Sequence, residues 1–380
     1  MNTKKKQERG PQEAVPKPNG DSLSPQHLLK DGLRLHRAGS IIDATEIYRS
    51  VLNLDPYNAE CIQLLGVAQM QLGETTEAIN LIKRSISINP KNSQAHYNLG
   101  LALGKIGKQQ KSLAAFRRAI AAEPKNYEAH NAIGGILLSL NDQNDLAEVH
   151  IRKAINLNPV YAPALNNMAM LLKAQKNFIG ALEQAERALE NSAGEAFIYQ
   201  TLASIFKNLG QLEKAKEALL AAISFAPNNS QAHSDLGAVL KSQGLLAEAK
   251  KEFDLAVEID PNNTQALNGL ASLLVDQGIY PDATNILEKI LRINVSDISA
   301  LYSLGTIFRR ESKWSESIAC FRRILDIDET DLFAAQAFAD SLHAAHYIEA
   351  DDQILTDIER CLRIEGISHE SLSLAGHLKL

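Results

Sequence analysis

A proline recurs along this chain at a fixed step. Pro56, Pro90 and Pro124 lie 34 residues apart, Pro159 follows after 35, Pro227 comes two periods later and Pro261 one more. Continuing the step reaches Val295 and Glu329, where proline is absent but the phrases "INVSD" and "IDETD" keep the character of a turn. A period of this length points away from one globular core and toward a stack of like units, each covering its neighbour's apolar face. With the proline set at position 32, position 8 reads Gly32, Gly66, Gly100, Gly134, Ala169, Ala203, Gly237, Ala271, Gly305 and Ala339. Position 20 reads Ala44, Ala78, Ser112, Ala147, Ala181, Ala215, Ala249, Ala283 and Ser317, and glycine holds position 15 at 39, 73, 107, 210, 244 and 278.

These marks divide each period into a helix, a turn at position 15, a second helix and a proline-marked loop. Glycine at position 15 supplies the left-handed residue that ends a helix, and proline follows the second helix, which it cannot continue. Glycine inside a helix costs about 0.5–1 kcal/mol relative to alanine. Its recurrence at position 8 therefore predicts a close helix crossing, with positions 8 and 20 facing one another. The one extra residue of the fourth period falls around Leu140–Asp145, in the turn between its helices. Aromatic content of only 5% fits helices better than sheets.

The pattern of small residues at 8 and 20 with proline at 32 resembles the tetratricopeptide repeat family over residues 25–345. A large aromatic is usual there at position 4; here Leu28, Ile62, His96, His130, Leu165, Tyr199, His233, Leu267 and Leu301 stand in its place. The resemblance implies an all-α, right-handed superhelical solenoid of about ten helix-turn-helix repeats, with the first helix of each lining a concave groove. Residues 1–24 are expected to form a disordered polar tail. Residues 346–380 are expected to hold a degenerate last repeat helix and a capping helix, with Leu372, Ala375 and Leu378 on one face.

The rest of the composition mostly excludes. A net charge of −6 argues against a dedicated nucleic-acid binder. Cys61, Cys320 and Cys361 are far apart, which fits a reducing compartment without structural disulfides or zinc. The opening "MNTKKKQERG" lacks the apolar core of a secretory signal, and no run reaches the ~20 apolar residues of a membrane span. A cytoplasmic protein is expected. No nucleotide loop, HExxH or serine elbow occurs, so neither catalysis nor a cofactor is expected. His96, His130 and His233 share position 4, which reads as packing and not metal ligation; His343 and His346 lack a third ligand. The Asp-x-Asp of "LDIDETD" puts Asp328 at position 31, in register with Asp55, Asn89, Asn158 and Asp260, and so in a turn.

The face of the first helix offers more. Positions 2, 5, 6, 9 and 12 share one stripe, and it carries Asn98, Asn131, Asn167, Gln200 and Asp235. Amides donate and accept, so a spaced set can hold an extended peptide by its backbone. Position 12 adds Lys173, Lys207 and Lys241 in three successive repeats and Arg309 later. On an acidic chain this row predicts a protein or peptide partner with an acidic or carboxylate-bearing segment. No repeat has Lys at position 5, which disfavours the carboxylate clamp of chaperone adaptors. The phrases "AHYNLG", "AHSDLG", "ALNGLA" and "EIDPNN" are similar to the repeats of O-linked N-acetylglucosamine transferases and of bacterial chains that couple such repeats to glycosyl-, methyl- or sulfotransferases. That likeness implies, as an alternative to a protein-binding scaffold, a substrate-recruiting module with a transferase partner.

Overall fold

The computed structural model describes residues 24–140 and 143–345. Every described element is an α-helix, and the helices alternate between 13 and 14 residues. The first helices of the repeats are α1 (Pro25–Arg37), α3 (Ala59–Gln71), α5 (Ser93–Lys105), α7 (Tyr127–Ser139), α9 (Ala162–Ala174), α11 (Ala196–Asn208), α13 (Ser230–Ser242), α15 (Thr264–Asp276), α17 (Ile298–Arg310) and α19 (Leu332–Ala344). The second helices are α2 (Ile41–Leu54), α4 (Thr75–Ile88), α6 (Gln109–Ala122), α8 (Asn144–Leu157), α10 (Phe178–Asn191), α12 (Leu212–Phe225), α14 (Leu246–Ile259), α16 (Tyr280–Ile293) and α18 (Trp314–Ile327). The chain is an all-α helical-repeat solenoid, built as two compact units, 1–167 and 168–380. The expected last helices lie outside the described residues, as does the tail up to residue 23. Ser24 belongs to α1, whose His27 amide donates to its hydroxyl oxygen.

Most first helices end in the same way. Gly39 has φ +83°, its amide donates to the His36 carbonyl, and the Ser40 amide donates to the Leu35 carbonyl. This paired closure needs a left-handed residue, and the other five position-15 glycines repeat it. Lys176 (φ 62°) and Ser312 (φ 58°) make the same turn without glycine. The extra residue of the fourth repeat falls where the period placed it, between the end of α7 at Ser139 and the start of α8 at Asn144.

The first helices also start alike. Asn58, Asn92, Asn126, Asn229 and Asn263, with Asp297 and Asp331, stand at position 34 and accept a hydrogen bond from the amide three residues on. Such a cap satisfies one of the helix's unpaired donors and contributes about 1 kcal/mol. Position 31 turns the chain just before it. The amides of Tyr57, Asn262 and Thr330 donate to the carboxylates of Asp55, Asp260 and Asp328 at 3.3, 3.0 and 2.9 Å. Asp328 therefore serves the turn, and its bonds from Thr330 hold its carboxyl below the ordinary range.

The helix crossing differs from the expectation in one respect. Position 20 is buried beside position 8, and where it is serine the hydroxyl donates to the position-8 carbonyl: Ser112 to Gly100 at 2.7 Å and Ser317 to Gly305 at 3.0 Å. The space left by the missing side chain is filled by position 24 instead. A Cβ on Gly100 would lie 2.5 Å from the Phe116 ring, and one on Gly32, Gly237 or Gly305 would stand 2.6–2.8 Å from Tyr48, Phe253 or Phe321. Gly66 and Gly134 face Ile82 and Ile151 in the same way. Where position 8 is alanine, position 24 carries no aromatic ring: Ala185, Leu219 and Leu287 follow Ala169, Ala203 and Ala271. The rings of position 24 are matched to a glycine at position 8.

Candidate functional site

Within each unit, neighbouring first helices touch one another, α3 against α5 in one and α13 against α15 and α15 against α17 in the other. Their shared stripe is the candidate peptide-binding face.

In the unit 1–167, the amides are more occupied than a binding ladder requires. Asn98 and Asn131 are only 7% and 8% exposed. Asn98 accepts from the Gln94 amide at 3.2 Å, and Asn131 accepts from Asn167 at 2.8 Å, a bond between adjacent repeats. Asn131 and Asn167 therefore align successive first helices, while Asn98 is buried and bonded within its own helix. A Cβ on Gly135, beside them, would lie 3.3 Å from the Asn167 amide nitrogen, so a side chain there would press on this bond.

In the unit 168–380 the polar residues divide into structural and available groups. Gln200 accepts from the side chain of the cap residue Asn229 at 3.1 Å, so it supports a helix start. Asp235 accepts from Gln231 at 3.1 Å and from Gln265 of the next repeat at 2.7 Å. The Lys173 ammonium donates to Ser204 at 2.8 Å, and that of Lys241 donates to Ser272 and pairs with Asp276 at 3.1 Å. Ser204 and Ser272 both occupy position 9 of the following repeat. Lys207 meets Ala238 at that position and is exposed, with no hydrogen bond or ion pair among the described residues. It borders a cavity of about 70 Å³ lined also by Gln200, Ser204 and Asp235. Burial lowers the pKa of Lys173; Asp235 opposes the shift and Lys207 adds to it, so these three charges share one field. Arg309 lies 3.7 Å from Asp340. The structure thus brings Lys173, Lys207, Gln200 and Asp235 together and leaves Lys241 and Arg309 in pairs of their own.

The position-4 histidines have a structural task. The Nε2 of His96 and of His233 lies 2.9 and 3.0 Å from the carbonyls of Pro90 and Pro227, which close the loop before each helix. Recurrence at position 4 announced packing; the bond to the position-32 carbonyl needed coordinates. Among the described residues no group of three or more His, Cys, Asp or Glu could hold a metal ion, and no helix is long and apolar enough to cross a membrane.

Helix pairs of constant length, turned at a left-handed residue and joined through a capped proline loop, define the class of helix-turn-helix repeat proteins. Models of the TPR or tetratricopeptide repeat match residues 66–107, 93–126, 164–190, 198–229, 240–306 and 300–335. The chain is a tetratricopeptide-repeat protein. No curated protein sequence matches it. Among solved structures it is similar to a tetratricopeptide repeat protein from Parabacteroides merdae at 18% identity, covering 66% of this chain and 99% of that one with a TM-score of 0.53. It is similar to the anaphase-promoting-complex hetero-tetramer Cut9–Hcn1 at 13% identity, covering 84% and 76% with a TM-score of 0.60. It also resembles the human IFIT1 dimer with m7Gppp-AAAA at 18% identity, covering 90% of each chain with a TM-score of 0.55. Identities this low carry the fold alone.

Proposed function

We propose that the chain is a protein-binding scaffold whose first-helix face in residues 168–345 receives a peptide segment bearing carboxylates. The observation that carries this reading is Lys207, an uncommitted ammonium that shares a field with Lys173 and lines a small cavity of mixed polarity. An exposed lysine alone is an ordinary surface residue. Two ammonium groups in one field, one of them partly desolvated and only partly offset by Asp235, gain further from an incoming carboxylate. The amides of residues 131 and 167 are spent on aligning helices and that of residue 98 is bonded within its own, so recognition rests on the lysine row. A cytoplasmic setting fits this role and is part of the proposal. The matching models are repeat models and none describes a transferase, so the recruiting-module alternative draws on the repeat phrases alone.

Binding of the whole chain to an array of acidic and neutral peptides tests this. Acidic peptides are expected to bind with a salt-sensitive affinity, and Lys173→Glu/Lys207→Glu/Lys241→Glu is expected to abolish that preference. Equal binding of both peptide classes, or a triple variant that keeps the preference, contradicts the reading.

A further inference from the structure

The outer helices of the third and fourth repeats hold a second charged feature, separate from the groove. Residues 93–126 carry six Lys and Arg against one acid, Glu123, on a chain whose net charge is −6. Helix N-termini favour acids, and α2, α4, α8, α12, α14, α16 and α18 all place one in the first turn. In α6 that position is Lys111. The charge therefore works against the local helix.

Two cations of these outer helices, one on α6 and one on α8, have also lost the structural task their position serves elsewhere. At position 26, Arg84 donates to the Pro56 carbonyl at 2.6 Å and Arg323 to the Val295 carbonyl at 2.7 Å, each tying a helix to the preceding loop. In the third repeat a histidine at position 4 takes that carbonyl, His96 bonding Pro90 at 2.9 Å, and in the fourth the Pro124 carbonyl acts on His130. The position-26 cations are nevertheless present, as Arg118 and Lys153. Neither they nor Lys111 and Arg117 form an ion pair among the described residues, and all four are exposed.

Beside them α8 borders a depression of about 440 Å³ lined by His130, Val149, His150, Arg152, Lys153 and Asn156. Of its lining residues, His130 and His150 have Nδ1 atoms 3.1 Å apart, within hydrogen-bond distance. The charged groups acting on this pair are Arg117 from α6, His130 from α7, and Lys153 from α8 itself; Arg152 at the rim pairs with Glu148 at 2.6 Å. In the repeat order α6 lies between α4 and α8, whose first turns carry Glu77 and Asp145, so the run of cations is short and suits a compact dianion better than an extended polyanion.

We propose that this depression is a binding site for a phosphorylated side chain of a partner protein. The Arg117 fork and the Lys153 ammonium would contact the phosphate oxygens, and His150 would share a proton with the dianion. Arginine's planar donors match phosphate geometry, and a phosphomonoester's second pKa near ~6 overlaps the histidine range. Binding then takes up a proton, because an anion favours the imidazolium that burial and the surrounding cations now oppose.

The test uses the full chain and a short phosphoserine peptide, followed by fluorescence anisotropy at low salt. The phosphorylated peptide is expected to bind at least about tenfold more tightly than its unphosphorylated form, and more tightly at pH 6.5 than at 7.5. Arg117→Gln/Lys153→Gln, at two exposed positions, is expected to remove that advantage. His150→Gln is expected to flatten the pH dependence, and Lys251→Gln, at an exposed position of α14 outside both sites, to leave binding unchanged. Equal affinity for both peptides, or an unaffected double variant, overturns the proposal. So does inorganic phosphate binding as tightly as the phosphopeptide, or capture by phosphatidylserine vesicles without phosphopeptide binding.

Discussion

Lys176 and Ser312 occupy a backbone region that costs an L-residue about 1–2 kcal/mol because the closure of the first helix demands it. Glycine at these sites removes that strain and returns part of the gain as extra freedom in the unfolded chain. Ser312→Gly is expected to raise stability by about 0.5–1 kcal/mol, read as a higher urea midpoint. The matched positions 8 and 24 give a sharper case. Gly100→Ala would force a Cβ against Phe116 at 2.5 Å, and overpacking of this kind costs about 1–3 kcal/mol. Adding Phe116→Leu creates the alanine–leucine pair already present at Ala203 and Leu219, so the double variant is expected to recover most of the loss. A cycle of the two single variants and the double measures the coupling, and simple additivity would refute size matching.

At the scale of the element, the period of the prolines and small residues located every described helix pair, the left-handed turns and the inserted residue, because each mark reflects a local backbone demand. The groove was less legible. The helical stripe placed Asn131 and Gln200 on one face of the first helices, but their hydrogen bonds to Asn167 and Asn229 depend on the offset between neighbouring helices, which no single helix encodes. The serines of position 9 that receive Lys173 and Lys241 escaped notice for the same reason. The pairing of α7 with α8 carries its own prediction. Burial lowers the pKa of both His130 and His150. A group depressed in the folded state and near ~6.5 when unfolded binds its proton more readily in the unfolded chain. Stability is therefore retained above that value and lost as pH falls through it toward the folded pKa. Urea midpoints of the unliganded protein are expected to drop between pH 7.5 and 5.5, and to drop less in His150→Gln.

At the scale of the whole molecule, each compact unit holds one buried thiol among the described residues. Cys61, which donates to the Tyr48 carbonyl at 3.3 Å, has its pKa pushed up to about 12 by burial, and Cys320 to about 11. The reactive thiolate is thus scarce at pH 8. With Cys361→Ser removing the third thiol, neither cysteine is expected to be alkylated in native buffer, and each should react at the urea concentration that opens its own unit. Mass spectrometry of the labelled peptides reads both at once, and rapid native labelling of Cys61 would contradict its burial.

The match between positions 8 and 24 also bears on how such a chain can lengthen. Duplicating a helix pair intact copies a glycine together with the ring that fills its place, and the copy fits at once. Exchanging a single helix between repeats would set Phe116 against Ala203, or Leu219 against Gly100, giving a clash in one and a void in the other. The smallest piece that inheritance can shuffle without repair is therefore the hairpin, and a breakpoint in the proline loop keeps each small residue with its own large neighbour.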